Sequence, residues 1–397
     1  HPASLEKADK CDKEQCTIGN NCRCSSSTSP LAEGDAPQVI RIEFLSSNSS
    51  LIALTIDEAV TNDSFVNLWQ PLLFDRKNPD GNPITATFFV SHEYTDYSRV
   101  QELYVRGFEI GDNSITKSSL SEYWKNATED TLKQEFGGQR TIISHFANIP
   151  DGDIVGVRTP QLQIEGDISI NAYVASGLQY DSSWTSRSTS LLFPYTLDYL
   201  SSQECRTGTT CPTESHPGFW VAPIINIQGK NNIECNSLVT CFYDGTADEI
   251  AAWLLSQVER VRNSNRAPMT LMLSSAYFRS VDNSVEGFQK FLDGLGSDVF
   301  LVSVKEIIEW VKNPVTVDLF KTATPERTAN CNNPTNCLLT NADGNVRYMV
   351  SCVQCPEVYP WLGNPLGLID PDQTTTTTPK PTTTSSTTTT PATTTAA

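Results

Sequence analysis

Histidine is scarce in this chain: there are four in 397 residues, at His1, His92, His145 and His216, and they are scattered rather than grouped. Positive charge is also short, with 28 Lys and Arg against 46 Asp and Glu, for a net charge of −18. That balance argues against nucleic acid or an anionic membrane as the main partner and favours a neutral or cationic ligand. No apolar run is long enough to cross a bilayer, and the chain opens on polar residues with no charged and apolar leader. We read it as a mature, secreted chain from which a signal peptide has been removed.

Cysteine is plentiful. The twelve fall into three groups: Cys11, Cys16, Cys22 and Cys24; Cys205, Cys211, Cys235 and Cys241; Cys331, Cys337, Cys352 and Cys355. An even number, clustered in irregular segments without the histidines of a zinc module, reads as disulfide staples made in an oxidising compartment. The pairing stays open. Cys352 and Cys355 have C-x-x-C spacing, but so deep in a staple-rich region they read as structural. Asn48, Asn62 and Asn126 each open an N-x-[ST] sequon, as expected of a secreted glycoprotein.

Four segments follow from these patterns. Residues 1–37 are a Cys-rich amino-terminal segment, too short for its own core and expected to pack on the main domain. Residues 38–315 alternate strand-like and helix-like runs. Residues 316–372 form a disulfide-rich extension. Residues 373–397 are almost wholly Thr, Ser, Pro and Ala, a disordered, mucin-like and O-glycosylated tail. Strands are expected at Leu51 to Asp57, Ala86 to Val90, Ile154 to Val157, Tyr173 to Tyr180, Met269 to Ser274 and Val299 to Val304. Ile250, Trp253, Leu254, Val258 and Val261 form a helical stripe. Such alternation implies an α/β fold with a parallel sheet, closed over this length as a β/α barrel. Chemistry should then gather where strands end: at Asp57, Asn113, Arg158, Asp181 and Ser274.

Two stretches carry the functional signal. One is Leu51-Ile52-Ala53-Leu54-Thr55-Ile56-Asp57-Glu58-Ala59; the other is Asn113-Ser114-Ile115-Thr116-Lys117. They resemble the first two motifs of the polysaccharide deacetylases (carbohydrate esterase family 4), and more closely those of the insect chitin deacetylases, which read T-F-D-D-[AG] and H-S-x-x-H. Gly156-Val157-Arg158-Thr159-Pro160-Gln161-Leu162 and Asp181-Ser182-Ser183-Trp184 resemble two further motifs, and Tyr359-Pro360-Trp361-Leu362-Gly363-Asn364-Pro365 is similar to a stretch near the family's end. The likeness runs from about Cys11 to Gly367. It implies a distorted deacetylase barrel with stapled terminal segments.

In active members, as the resemblance implies, an aspartate and two histidines hold zinc, a second aspartate is the general base, an arginine orients it and a late histidine is the general acid. The metal lowers the pKa of its water from about 15.7 to about 7. Carried over residue by residue, Asp57 keeps the base position, and Arg158 the clamp. The metal positions become Glu58, Asn113 and Lys117, and the general-acid position becomes Ser274, with Tyr277 where tryptophan stands in the family. An amide is a poor zinc ligand and an ammonium none, whereas catalytic zinc takes about three protein ligands. The expectation is no zinc and no other cofactor, with the Lys117 ammonium near the lost ion and paired with Asp57 or Glu58. Arg158, Pro160, Asp181, Trp184 and Tyr277 are expected to keep a sugar-binding groove, Trp184 offering a ring face.

The resulting expectation is a catalytically silent chitin deacetylase-like protein that binds chitin or chito-oligosaccharide, with other matrix proteins as further partners, but neither nucleic acid nor membrane. Its expected home is an extracellular matrix such as the insect gut peritrophic matrix. Two alternatives stay open: an active metal-dependent deacetylase, and a structural matrix protein with a vestigial groove.

Overall fold

The computed structural model describes residues 7–31, 50–208, 210–316, 318–341 and 343–369. The Thr-rich tail, the Asn48 sequon and the proposed boundary between residues 37 and 38 lie outside them.

One nine-stranded sheet organises the chain: β1 (Ser50–Glu58), β2 (Thr87–Val90), β3 (Glu109–Asp112), β4 (Gly156–Val157), β5 (Tyr180–Asp181), β6 (Tyr195–Leu197), β7 (His216–Val221), β8 (Met269–Leu273) and β9 (Val299–Leu301). Their order is β8-β1-β2-β3-β4-β5-β7-β6, with β9 also on β1. Every pairing is parallel except β6 with β7. Parallel neighbours need crossovers, and helices supply them: the helical stretch 62–73 between β1 and β2, then α1 (Tyr97–Val105), α2 (Gly138–Phe146), α3 (Gly166–Ala175), α4 (Ala247–Arg262), α5 (Ser275–Ser280) and α6 (Ser284–Asp293), while α7 (Val304–Lys312) follows β9. The result is a distorted β/α barrel. Among the described residues no ladder joins β6 to β8; Ile224–Ile225, paired with Thr185–Ser186, packs beside β8 in that gap.

The apolar run of β1 is buried on both faces, as a strand covered by helices requires. The expected helical stripe lies inward on α4, whose first turn is closed by a Thr246/Glu249 capping box. One strand expectation is wrong. Tyr173 lies in α3, not in a strand, because Ser169, Ile170, Ala172 and Tyr173 form a buried helical face. That helix stops where Leu178 N–H bonds to Tyr173 O and Gly177 takes φ +79°; only Tyr180–Asp181 is extended.

All twelve cysteines are paired: Cys11–Cys24, Cys16–Cys22, Cys205–Cys211, Cys235–Cys241, Cys331–Cys352 and Cys337–Cys355. The amino-terminal staple covers the edge strand β6, where Thr196 N–H donates to Arg23 O at 2.9 Å and Arg23 N–H to Thr196 Oγ1 at 2.9 Å. At the other end, the hairpin of β10 (Thr335–Thr340) and β11 (Val346–Ser351) is pinned by the last two disulfides. It docks through Arg347 on Glu93 at 2.6 Å. His92 is buried there, with Nδ1 2.6 Å from Tyr97 Oη and its ring 4.6 Å from that of Tyr359. Burial pulls its pKa down to about 3, so it is a neutral packing residue.

Helices α4 and α6 meet at Gly287. A Cβ there would lie 2.7 Å from Ile250 Cβ and 3.1 Å from Ala247 O. Alanine gains about 1 kcal/mol over glycine in a helix, but this contact is with rigid atoms, and overpacking costs about 1–3 kcal/mol. Gly287→Ala should therefore lower the urea midpoint; an unchanged or raised midpoint would mean the two helices can part freely.

Candidate functional site

The register of the sheet brings the rim together. Glu58 lies opposite Val90, Val90 opposite Asp112, Asp112 opposite Val157 and Val157 opposite Asp181, while Ile56 pairs with Leu273. Asp57, Asn113, Arg158, Asp181 and Ser274 thus stand at the carboxyl ends of β1, β3, β4, β5 and β8, on one face of the barrel.

Arg158 is the centre. Its side chain has no exposure to water, and Nη1 donates to both Asp57 oxygens, at 2.9 and 3.0 Å. Nη2 donates to Thr55 Oγ1 at 3.3 Å and Ser182 Oγ at 3.1 Å, and Nε to Ser182 O. The guanidinium carbon sits 4.6 Å from the centre of the Phe89 ring. The base position is therefore an aspartate held by a saturated arginine.

The turn after β3 is built by acids that the sequence motifs do not mark. Ser114 and Lys117 take positive φ, +71° and +45°, which is uncommon outside glycine. Asp112 Oδ1 accepts from Ser114 N–H at 2.8 Å, and burial pushes this carboxyl well above the usual range, favouring its protonated form. Glu135, wholly buried, accepts from the N–H groups of Ile115 and Thr116 at 3.0 and 2.9 Å, and from the hydroxyls of Thr116 and Tyr123 at 2.6 Å each. No local pattern announces Glu135; it comes from a helical segment after the motif.

The three residues at the expected metal positions are each engaged by the protein. Glu58 Oε1 accepts from Trp69 Nε1 at 2.7 Å and Oε2 from Ser275 N–H at 2.8 Å. Asn113 Nδ2 donates to Arg158 O at 2.7 Å. Lys117 Nζ donates to the backbone oxygen of Asp57 at 2.5 Å. The expected carboxylate pairing of Lys117 is thus corrected to a carbonyl contact, because Arg158 already holds the Asp57 carboxylate and Trp69 and Ser275 hold Glu58. Burial draws the Lys117 pKa down, against the raising influence of Asp57 and Glu58. A carboxylate spent on neutral donors, an amide and an ammonium do not fit a divalent cation. Among the described residues, neither Asp57 nor Glu58 belongs to a group of three potential ligands; the non-cysteine group is Asp167, Glu214 and His216. There Asp167 already accepts from Thr213 N–H, Glu214 N–H and His216 Nε2.

Beside these residues runs a groove of about 480 Å³, lined by Asp57, Asn113, Lys117, Pro160, Ser237 and Ser274 among others. The Cys235–Cys241 staple and the capping box of Ser237 with Thr240 fix its far wall. Ser274 caps α5, its Oγ accepting from Ala276 N–H at 3.1 Å. A hydroxyl in that role is no general acid near neutrality.

Three expected sugar contacts are buried instead. Trp184 is 2% exposed, with its indole N–H on Glu204 O at 2.9 Å and its ring beside Tyr195, so it offers no face to the groove. Tyr277 is 1% exposed and donates to Tyr243 O at 2.7 Å. Asp181 accepts from Ser183 N–H at 2.9 Å and Ser183 Oγ at 2.6 Å, bracing its own turn. Arg158 serves from beneath the groove through Asp57, and Pro160 does line it.

A β/α barrel with an arginine-held aspartate at the strand ends defines a site of the polysaccharide deacetylase type, with Glu58, Asn113 and Lys117 where the resemblance expects metal ligands. No family model matches the chain. It is 36% identical over 379 residues to chitin deacetylase 8 of Bombyx mori, covering 91% of this chain and 94% of that one. It is 33% identical over 387 residues to chitin deacetylase 1 of the same species, covering 91% and 69%. A solved family 4 acetyl xylan esterase from Clostridium thermocellum aligns at 15% identity with a TM-score of 0.37, over 68% of this chain and 95% of that one. By its likeness to the two silkworm proteins, this chain belongs to the chitin deacetylase family.

Burial raises the Asp181 pKa to about 6, against the lowering hydrogen bonds from Ser183. The folded state thus binds a proton that the unfolded chain, with a pKa of about 3.9, releases first. Stability from this group is fullest below pH 4 and falls as pH rises to about 6. Asp181→Asn should flatten that part of the stability profile; an unaltered slope between pH 4 and 6 would show that the carboxyl does not titrate there.

Proposed function

We propose that this protein is a catalytically silent chitin deacetylase-like protein that holds chitin chains in the former catalytic groove. The observation that carries this reading is the hydrogen bonding at Glu58 and Lys117: one metal position is spent on Trp69 and Ser275, and another presents an ammonium. Ser274 in the acid position serves as a helix cap. The groove itself persists, with Asp57, Pro160 and the stapled wall around Ser237 intact.

Six disulfides support a life outside the reducing cytosol. Among the described residues no helix is long and apolar enough to cross a membrane. We place the protein in a secreted, chitin-bearing matrix, of which the insect peritrophic matrix is an example. Asn62 and Asn126, which open the two described sequons, are exposed.

Protein purified in the presence of zinc should carry well below one zinc per chain, release no acetate from chito-oligosaccharides, and still be retained on chitin. Val239 lines the groove and is 39% exposed, so Val239→Trp should block it without unfolding the barrel and cut retention about tenfold. Stoichiometric zinc or metal-dependent acetate release would sink the silent reading. Retention indifferent to the block would point to a matrix protein whose groove holds no sugar.

A further inference from the structure

A second cavity, of about 330 Å³, lies at the other end of the barrel from the strand-end rim. It is lined by β9, whose Val299 and Leu301 stand opposite Ser50 and Ile52 at the start of β1, by the turn from α6 into β9, and by residues 76–84. Its charge is the reverse of the chain's. Among the described residues its walls carry Arg76 and Lys77 and no acid, in a protein with 46 Asp and Glu against 28 Lys and Arg. The two cations stand on a fixed edge. Ile84 N–H donates to Arg76 O at 3.1 Å, and buried Asn78 grips Leu301 twice, Oδ1 accepting from its N–H at 2.8 Å and Nδ2 donating to its carbonyl at 3.0 Å. Arg76 Nε donates to Leu72 O at 2.7 Å and Nη1 to Asp293 Oδ1 at 2.6 Å. Asp293 is 66% exposed, and such surface pairs contribute little. Arg76 Nη2 and the exposed Lys77 ammonium have no hydrogen-bond partner among the described residues. Asp298, the acid on the adjoining turn, is held by Arg262 at 2.7 Å and Arg266 at 3.2 Å. The rest of the wall is mainly apolar, from exposed Pro79 and partly exposed Leu295 to buried Ile84 and Leu292.

We propose that this cavity binds a small amphipathic carboxylate, its head group on Lys77 and Arg76 and its hydrocarbon part against Pro79 and Leu295. Cavities of about 300–1,000 Å³ with apolar walls and a few placed polar groups are the usual form of a small-molecule site. A carboxylate presents two acceptor oxygens to the two cationic donors. A bare oxyanion leaves the apolar wall wet, and a neutral apolar molecule leaves both cations without a partner. The cavity shares no lining residue with the groove, so the inference is independent of what the groove holds.

The test is calorimetric titration of the full chain with octanoate, octanamide and butyrate, at about 0.15 M and about 0.5 M salt. The net charge of −18 repels anions from the surface at large, so octanoate binding that persists or tightens in salt marks a local site. Octanoate should bind at least about tenfold tighter than octanamide, which lacks the charge, and at least about tenfold tighter than butyrate, which lacks four methylenes. Lys77→Met should weaken octanoate binding about tenfold, and Lys77→Arg, which keeps the charge, should preserve most of it. The Lys77 side chain is exposed, so both variants should fold, and equal urea midpoints check this. No binding of octanoate, or affinity equal to that of octanamide or of butyrate, would overturn the inference. So would a Lys77→Met variant that binds octanoate as tightly as the unaltered chain, since the carboxylate would then sit elsewhere.

Discussion

A guanidinium taken wholly out of water has to find partners for all its donors, and here that requirement joins the strand ends into one rim. Arg158 reaches Thr55 and Asp57 on β1 and Ser182 after β5, and lies over Phe89 of β2. Its own backbone is held in turn, N–H on Asp112 O and carbonyl on Asn113 Nδ2. Leaving such a charge unpaired costs about 3–5 kcal/mol, a large fraction of the stability of a typical domain. Asp57 therefore serves the structure as the partner of Arg158, whether or not it ever acts as a base. The Arg158–Asp57 pair cannot by itself be taken as a sign of catalysis.

The same logic governs Glu58 and Lys117. Carboxylates at this part of the rim need donors from the protein. Glu58 finds them in an indole and a helix-starting N–H. Lys117 brings positive charge near both acids while bonding to a main-chain oxygen. The site is electrostatically settled without being sterically filled, and an open groove remains beside it.

Much of this was legible from the sequence, and what was not has particular causes. The apolar run of β1, the inward stripe of α4 and the positions at strand ends follow from period and motif order. Tyr173 misled because its β-rich neighbours disguise a helical face of small residues, Ser169 and Ala172. Trp184 and Tyr277 were expected at the groove because aromatic rings suit sugars; that their N–H and O–H find carbonyls from Glu204 and Tyr243 depends on chain segments distant in sequence or otherwise unmarked. Glu135 was invisible for the same reason. Which atom of Lys117 finds which atom of Asp57 is set by backbone geometry, and no motif encodes that. The disulfide pairing likewise needed coordinates: the C-x-x-C cysteines 352 and 355 turn to different partners, 331 and 337.

Glu58 has one further consequence, which concerns reversibility. Placing histidine at 113 and 117 would supply two imidazoles, yet Glu58 would still be committed to Trp69 and Ser275, and the amide that anchors the Arg158 carbonyl would be gone. Each such substitution alone removes a satisfied contact before any ion can repay it. The rim therefore resists piecemeal redesign: an engineer seeking a metal site there must change several residues at once.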